Sequence, residues 1–273
     1  MSLNNRALRI IVSLLTIPAI LLITYYGGTL FLLFVLIIGV VSSYEFSKMV
    51  KKKGVYPNLF LTVLFSIVII LNFFYQYFDF YIIFLFIVPL IFLLELFRNK
   101  GSAISNTGAV LISLFYISLF AGSLIGIREF YNYNDFIYNQ GGWLLIATFI
   151  SIWICDSAAY FLGTAFGKHK LFPRVSPNKS WEGAAAGFVF AVITMLFLHY
   201  YILDFITRFD ALVFGLIIGI MGQAGDLVES LLKRDAGVKD SSNIIPGHGG
   251  FFDRFDSLIF VAPFIYLYII FFV

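Results

Sequence analysis

Residues 211–234 read ALVFGLIIGIMGQAGDLVESLLKR, an apolar run that passes directly into charged sequence. A helix needs about 20 mainly apolar residues to cross a bilayer. We therefore predict a membrane-spanning helix over residues 211–227 whose final turns carry polar chemistry. Segments of similar hydrophobicity lie on both sides of this helix along the chain.

The composition extends this interpretation to the whole chain of 273 residues, of which 61% are hydrophobic and 12% are charged. Such values are typical of a polytopic membrane protein and exclude an ordinary soluble domain. Hydropathy predicts an all-α integral membrane protein with about nine transmembrane helices. Five belong to a scaffold region, residues 1–140, and four to residues 141–273, where two cytoplasmic loops concentrate the chemistry. The predicted spans are residues 10–26, 29–46, 57–75, 80–97, 107–127, 143–161, 183–201, 211–227 and 255–272.

The basic residues predict the orientation. With a cytoplasmic N-terminus and nine alternating spans, sixteen of the 18 Lys and Arg residues fall on the cytoplasmic side, and only Arg128 and Arg208 fall outside. The positive-inside rule requires such a bias. We therefore predict a protein of the cytoplasmic (inner) membrane whose charged loops face the cytoplasm. No small-residue cleavage site follows the first span, which is interpreted as retained rather than as a signal peptide.

Cysteine usage and net charge limit the function. Cys155 is the single cysteine, so neither an intrachain disulfide nor a multi-cysteine zinc site is expected. A net charge of +3 is too small to indicate a nucleic-acid partner. The cytoplasmic basic clusters instead suit membrane topology and anionic lipid headgroups.

The scaffold region offers two acidic residues near span ends, Glu45 and Glu95. Each has a basic residue three positions later, Lys48 and Arg98 respectively. Residues three apart on a helix are neighbours, so we interpret both as interfacial ion pairs.

Two aspartates lie inside predicted spans, Asp156 in the sixth and Asp226 in the eighth. With a rise of about 1.5 Å per residue, both are placed about two turns inside the cytoplasmic boundary. A carboxylate at that depth is costly unless it is paired, hydrated or bound to a cation. A structural hydrogen bond between helices is the alternative to a functional site.

A polar stripe follows Asp226 along the same helix. Asp226, Glu229, Ser230 and Lys233 fall at i, i+3, i+4 and i+7, so they share one face. We predict that this stripe lines a wet cavity open to the cytoplasm.

Asp253 and Asp256 open the ninth predicted helix, directly after a glycine-rich stretch that ends in Gly249 and Gly250. Capping of a helix N-terminus is one explanation for these acids. Glycine backbone that approaches a phosphate closely, with Arg254 beside it, is the other. Hard oxygen ligands without thiolates favour Mg²⁺ over zinc.

Three further features leave their roles open. His248 is compatible with a general base, a phosphate contact or a hydrogen bond that orders the loop. Lys179 and Ser180 precede the seventh helix without the upstream glycines of a P-loop, so a Walker site is rejected. Helix capping by Ser180 and phosphate binding by this loop both remain open.

The polar segment after residue 229 resembles a known family, the phosphatidate cytidylyltransferases, also called CDP-diacylglycerol synthases. The resemblance covers the order and spacing of a long motif, whereas the first half of the chain matches only in being hydrophobic. Asp156 and residues 176–183 are also similar to upstream elements of that family. The motif residues are Ser230, Lys233, Arg234, Lys239, Asp240, Ser242, Ile245, Pro246, His248, Gly249, Gly250, Asp253, Arg254 and Asp256.

The resemblance implies that CTP and phosphatidate react, with Mg²⁺, to give CDP-diacylglycerol and pyrophosphate. It implies a nucleotidyltransferase of phospholipid biosynthesis, and such a family includes dimers, so a homodimer is a possible assembly. A second cation is compatible with the number of carboxylates.

Four residues are expected to be catalytic: Asp226, Asp253, Lys233 and Arg254. Those expected to bind substrate are Lys179, Ser180, Ser230, Arg234, Lys239, His248, Gly249 and Gly250. The metal ligands are expected to be Asp226 and Asp253, helped by Asp156 or Asp256.

Two other functions compete with this one. An enzyme that uses CTP on another lipid phosphate, ether-linked or polyprenyl, would share the same headgroup chemistry. An ion-coupled transporter would also place aspartates in the membrane, but near its midplane and in paired, interrupted helices. Here the charges collect at one side beside a glycine-rich loop, which disfavours the transporter.

Overall fold

The protein was studied as a computed structural model, which describes residues 5–131, 137–242, 244 and 249–273, with side chains from residue 14 onward. Within these ranges the chain forms nine helices and one antiparallel hairpin. The helices are α1 (Asn5–Tyr26), α2 (Gly28–Lys51), α3 (Leu59–Tyr75), α4 (Phe80–Leu96), α5 (Ala103–Arg128), α6 (Asn139–Phe166), α7 (Trp181–Tyr201), α8 (Arg208–Asp235) and α9 (Phe252–Phe272). The strands are β1 (Lys170–Phe172) and β2 (Ser176–Ser180).

Each of the nine apolar segments predicted from hydropathy lies on a helix. In the described part of the chain, six helices are long and apolar enough to cross a membrane, namely α2 and α5 to α9. The described part of α1, with α3 and α4, is apolar but shorter. The chain is therefore an all-α integral membrane protein with one small hairpin. A total of nine crossings and a cytoplasmic N-terminus stay predictions.

Two helices contain a wider π-helical turn. It occupies Ser113–Ser118 in α5 and Ile218–Gly222 in α8. Such turns insert into α-helices where packing or function demands a change of register. The π-helical turn in α8 ends directly before Gln223. The polar residues that follow therefore point in a different direction from the one that an uninterrupted α-helix would give them.

The chain divides into two compact units. The first contains residues 1–126 and 235–255, and the second contains residues 127–234 and 256–273. From its sequence, the chain was divided at residue 140 because the charged loops lie after it. That division into scaffold and catalytic regions stays a prediction.

The first unit has an apolar core in which α2, α3 and α5 pack together. Fully buried side chains fill it, among them Val35, Ile69 and Leu114. Three buried serines also meet there: the hydroxyl of Ser66 lies 3.1 Å from that of Ser43 and 2.6 Å from that of Ser118. Hydrogen bonds among buried hydroxyls satisfy polar groups that lipid cannot.

The second unit is built on close contacts of α7 with α6 and α8. Glycines line these contacts: a Cβ on Gly187 would lie 2.9 Å from the carbonyl oxygen of Cys155, and one on Gly215 would lie 2.7 Å from Cα of Val192. Small residues allow helix backbones to approach in membranes. This packing places the C-terminal end of α6 and the N-terminal end of α7, with the hairpin between them, beside the polar turns of α8.

Candidate functional site

A salt bridge in the second unit joins two predicted site residues. Nζ of Lys179 donates to Oδ2 of Asp226 at 2.7 Å, and Oγ of Ser230 donates to Oδ1 at 3.3 Å. About a third of each charged side chain is exposed, 30% for Lys179 and 36% for Asp226. The predicted phosphate-binding lysine and the predicted metal ligand therefore lie together at an accessible position.

The hairpin fixes Lys179 two residues before the start of α7. Ser180 pairs with Lys170 across the two strands, and its Oγ accepts from the backbone N–H of Gly183 at 3.2 Å. Ser180 is thus the N-cap of α7, which confirms capping and leaves its phosphate contact a prediction. Glu182 closes the hairpin because it accepts from the amide of Lys168 at 3.1 Å and lies 2.6 Å from Nδ1 of His169. His169 thus contacts Glu182 while most of its side chain stays exposed.

Asp156 and Asp256 belong to the same electrostatic environment. Asp156, on α6, is exposed on the protein surface and interacts electrostatically with Asp226 and Lys179. Asp256, on α9, is buried, accepts from the amide of Ser257 at 2.7 Å, and interacts electrostatically with Asp226 and Asp156. The second unit therefore brings three of the four carboxylates predicted as metal ligands within electrostatic range of one another.

Gly225 brings α8 close to α9 beside this cluster. A Cβ at Gly225 would lie 2.6 Å from Cβ of Phe260 and 2.9 Å from the carbonyl oxygen of Asp256. Carbon atoms do not approach so closely, so this position requires glycine. The absence of a side chain at Gly225 thus sets the spacing between the helix turns that carry Asp226 and Asp256.

The predicted polar stripe on α8 is only partly accessible. Asp226 is half-buried, but Glu229 has no exposed surface and its Oε2 lies 2.5 Å from Nζ of Lys233. The prediction that the whole stripe lines a wet cavity is therefore wrong for Glu229. A buried carboxylate must be paired, and Lys233 supplies the pairing charge one helical turn away.

Asp253 is the centre of a second polar cluster, which lies in the first unit. Its Oδ2 accepts from the amide of Gly250 at 2.8 Å, and from the amide and the hydroxyl of Ser241 at 3.0 and 2.9 Å. A Cβ on Gly250 would overlap Oγ of Ser241, and Gly249 has φ of +82°. Both positions thus require glycine, and Asp253 accepts from residues that precede α9.

Glu45 makes contacts that the sequence did not predict. Its carboxylate accepts from the amides of Phe251 and Phe252 at 2.9 and 2.7 Å, and from the hydroxyls of Ser241 and Ser242. The predicted ion pair with Lys48 is wrong, because Lys48 instead lies over the ring of Tyr44.

The parallel prediction for Glu95 is confirmed, since its Oε2 lies 2.6 Å from Nη1 of Arg98. In the sequence, Glu45 and Glu95 look alike, because each is an acidic residue near the end of an apolar helix. They differ in the structure because Glu45 bonds residues more than 200 positions away along the chain.

The remaining predicted site residues are mostly exposed. Nε of Arg234 donates to the carbonyl of Val175 at 3.3 Å, and the side chains of Arg234, Lys239 and Arg254 are accessible. His248 lies outside the described residues. The exposed side chains of these cations are accessible to anions, and their contact with substrate stays a prediction.

The arrangement of the described carboxylates determines what kind of magnesium site the chain can form. Among the residues that the structure describes, no group of three or more His, Cys, Asp and Glu side chains is arranged to hold a metal ion. Mg²⁺ usually takes one or two carboxylates and completes its shell with water and substrate phosphates. The accessible carboxylates of Asp226 and Asp156 fit that pattern, whereas a cage of protein ligands does not.

The helices and polar clusters define an integral membrane protein that concentrates carboxylates and cations near the ends of a few helices. Comparison with known proteins identifies the family within this class. The profile of the Cytidylyltransferase family matches residues 7–272. The chain therefore belongs to the Cytidylyltransferase family.

Individual relatives agree with this assignment. The chain is 41% identical over 161 residues to the phosphatidate cytidylyltransferase of Bacillus subtilis, covering 59% of this chain and 57% of the relative. It is 44% identical over 161 residues to the protein of the same name from Haemophilus influenzae, covering 56% and 54%. For the protein of that name from Staphylococcus saprophyticus the identity is 42% over 139 residues, covering 51% and 53%. The matched stretch thus spans a little over half the length of each relative.

Proposed function

We propose that this protein transfers CMP from CTP to phosphatidate, giving CDP-diacylglycerol and pyrophosphate at the cytoplasmic face of the inner membrane. Membership of the Cytidylyltransferase family and the names of its relatives support this reaction. The observation that carries the proposal is the accessible pair of Lys179 and Asp226. It joins a cation for phosphate oxygens, near the end of strand β2, with a carboxylate for a divalent cation on a helix of membrane-spanning length.

The chemistry explains why such charges are needed. An oxygen of the lipid phosphate attacks the α-phosphorus of CTP, a new P–O bond forms, and the bond to the departing pyrophosphate breaks. Both reactants are anionic, so their mutual repulsion is the main obstacle. Fixed charges that neutralise developing and existing negative charge lower that barrier. The lipid phosphate is already ionised at neutral pH, so a strong general base is not required.

The carboxylates have the first role in this proposal. In the second unit, Asp226 binds Mg²⁺ with help from Asp156 or Asp256. In the first unit, Asp253 is a carboxylate ligand that its loop holds in a fixed orientation. When bound, Mg²⁺ neutralises phosphate charge and polarises the phosphorus that is attacked.

The cations have the second role. Lys179 is proposed to exchange its contact with Asp226 for a phosphate oxygen, since charge-assisted bonds to phosphate are strong. Arg234, Lys239 and Arg254 are exposed and hold the triphosphate, the departing pyrophosphate or the lipid phosphate. Lys233 contributes positive charge while Glu229 holds its ammonium group.

The reaction is tested with the purified full chain in detergent micelles that contain phosphatidate, CTP and Mg²⁺. We expect CDP-diacylglycerol to accumulate, as measured by mass spectrometry of the extracted lipid. The same assay with ether-linked and polyprenyl phosphates tests the closest competing function. Product only from a lipid phosphate without a diacylglycerol would contradict phosphatidate as the substrate.

A further inference from the structure

We propose that Glu45 is a positioning residue: it clamps two segments of the chain together, residues 241–242 and residues 251–252, and thereby orients Asp253. The inference rests on the proposed function for its effect on turnover. The clamp itself is a statement about contacts within the first unit, and it is testable without any assay of activity.

The four contacts of Glu45 are arranged in two matching pairs. Oε1 accepts from the hydroxyl of Ser242 and from the amide of Phe251 at 2.9 Å. Oε2 accepts from the hydroxyl of Ser241 at 3.3 Å and from the amide of Phe252 at 2.7 Å. Each carboxylate oxygen thus binds one donor from residues 241–242 and one from residues 251–252. These bonds offset the entropy lost when two separate chain segments are brought together.

Glu45 also caps a helix to which it does not belong. Phe252 is the first residue of α9, and the amides of Phe251 and Phe252 lie at its N-terminus. The first amides of a helix lack partners within the helix, and a carboxylate there is favoured by the helix dipole. Glu45 has only 1% of its surface exposed, so its carboxylate depends on these donors for hydrogen bonds.

Ser241 connects the clamp to Asp253. Its hydroxyl lies 2.9 Å from Oδ2 of Asp253 and 3.3 Å from Oε2 of Glu45. A serine hydroxyl has one hydrogen, so the shorter bond to Asp253 takes the larger share of a three-centre interaction. Displacement of Glu45 therefore shifts the serine that orients Asp253.

Gly250 shows how tightly these groups are packed. A Cβ there would lie 3.0 Å from Oδ2 of Asp253 and 3.0 Å from Oε2 of Glu45, and would overlap Oγ of Ser241. The two carboxylates and the serine therefore surround one backbone position. Their spacing leaves little room for Asp253 to turn independently of Glu45.

The substitution Glu45→Gln tests the clamp with little change in volume. It replaces one acceptor oxygen by an NH₂ group that faces an amide and a hydroxyl, both of which donate. The matched control is Glu95→Gln, since Glu95 is also buried and bonds Arg98 and Asn106 at 2.6 Å in the same unit. If loss of any buried carboxylate in this unit were enough to lower kcat, the two variants would lose kcat equally.

Hydrogen exchange of the purified full chain is the readout that does not depend on activity. We expect peptides that contain the amides of Phe251 and Phe252 to exchange about tenfold faster in Glu45→Gln. A tenfold change corresponds to about 1.4 kcal/mol, which lies within the range for loss of a buried hydrogen bond. Glu95→Gln is expected to leave these peptides unchanged. Unchanged exchange in Glu45→Gln would overturn the clamp.

Kinetics of the same proteins test the effect on Asp253. We expect kcat of Glu45→Gln to fall at least about tenfold and half-saturation to need more Mg²⁺, with KM for phosphatidate changed little. Wild-type kcat and Mg²⁺ requirement would overturn the positioning role while leaving the proposed function intact. No turnover by the wild-type chain would instead contradict the proposed function, and hydrogen exchange would still decide the clamp.

A milder variant covers the case in which Glu45→Gln does not fold. Ser242→Ala removes one of the four donors and leaves the carboxylate and both helix amides in place. We expect faster exchange at Phe251 and a smaller fall in kcat than in Glu45→Gln. Wild-type exchange and kcat in Ser242→Ala, with Glu45→Gln unfolded, would reduce Glu45 to a folding role and overturn the inference.

Discussion

Nζ of Lys179 lies 2.7 Å from Oδ2 of Asp226, which joins the end of strand β2 to the polar turns of α8. The two residues are 47 positions apart, and packing of α7 against α8 brings them together. Partly exposed ion pairs contribute little to stability, so the contact is easily exchanged for others. A phosphate oxygen for the lysine and a divalent cation for the aspartate are the replacements that the proposed reaction supplies.

Asp226→Asn is expected to lower kcat by about 10² to 10³, because it removes a charge that acts on the reacting phosphates. Steady-state turnover of CTP with phosphatidate measures it. Asp210→Asn is the matched control, since Asp210 begins the same helix and bonds Thr207 and Tyr268. At about 1.5 Å per residue it lies about 24 Å from Asp226, so we expect lower stability with kcat near wild type. Equal losses of kcat in both variants would contradict the role of Asp226.

Lys179→Met is expected to raise KM for CTP about tenfold, because a charge-assisted bond to phosphate is lost. Lys179→Arg keeps the charge and should recover most of the affinity. Thermal unfolding should change little in either variant, since the pair with Asp226 is partly solvated. An unchanged KM in Lys179→Met, measured at saturating phosphatidate, would remove this lysine from the substrate contacts.

Asp253→Asn tests the carboxylate of the first unit. We expect kcat to fall by about 10² and the bonds from Gly250 and Ser241 to weaken, since one oxygen becomes a donor group. Asp235→Asn serves as the control because Asp235 forms an exposed ion pair with Lys53 in the same unit. Turnover of the control should stay within about twofold of wild type. Full activity of Asp253→Asn would show that its charge is not needed.

Gly225→Ala and Gly222→Ala form a matched pair on α8. A methyl group at Gly225 overlaps Phe260 and the backbone of α9, so we expect a loss of about 1–3 kcal/mol in the free energy of unfolding. At Gly222 the nearest neighbour is Cγ2 of Val261 at 3.7 Å, an ordinary contact. There alanine should be neutral or stabilise by up to about 1 kcal/mol. Thermal unfolding in detergent compares them, and similar midpoints would argue against the close approach at Gly225.

The sequence predicted the helices well because each apolar segment carries its own signal. Asp226 and Ser230 likewise lie within one helical stripe, so their contact follows from spacing alone. The hairpin was not predicted, since strand β2 begins Ser-Pro-Asn and has little strand propensity. Its position depends on Glu182, which binds the backbone of Lys168 and His169 from the first turn of α7.

Glu45 shows the limit of local patterns more sharply. Its position next to Lys48 predicted an ion pair, yet its partners are donors at the start of α9. Hydrogen bonds between segments so distant along the chain leave no periodic signal in the sequence. The buried pair of Glu229 and Lys233 is similar, because spacing placed both on one face without showing that tertiary packing covers it.

Pyrophosphate release from CTP by the purified chain tests the central claim most directly, namely that charged side chains let two anionic phosphates react. We predict release that requires both Mg²⁺ and phosphatidate, that matches the CDP-diacylglycerol formed, and that nearly disappears in Asp226→Asn. Release that proceeds without phosphatidate, or at the wild-type rate in Asp226→Asn, would contradict the account.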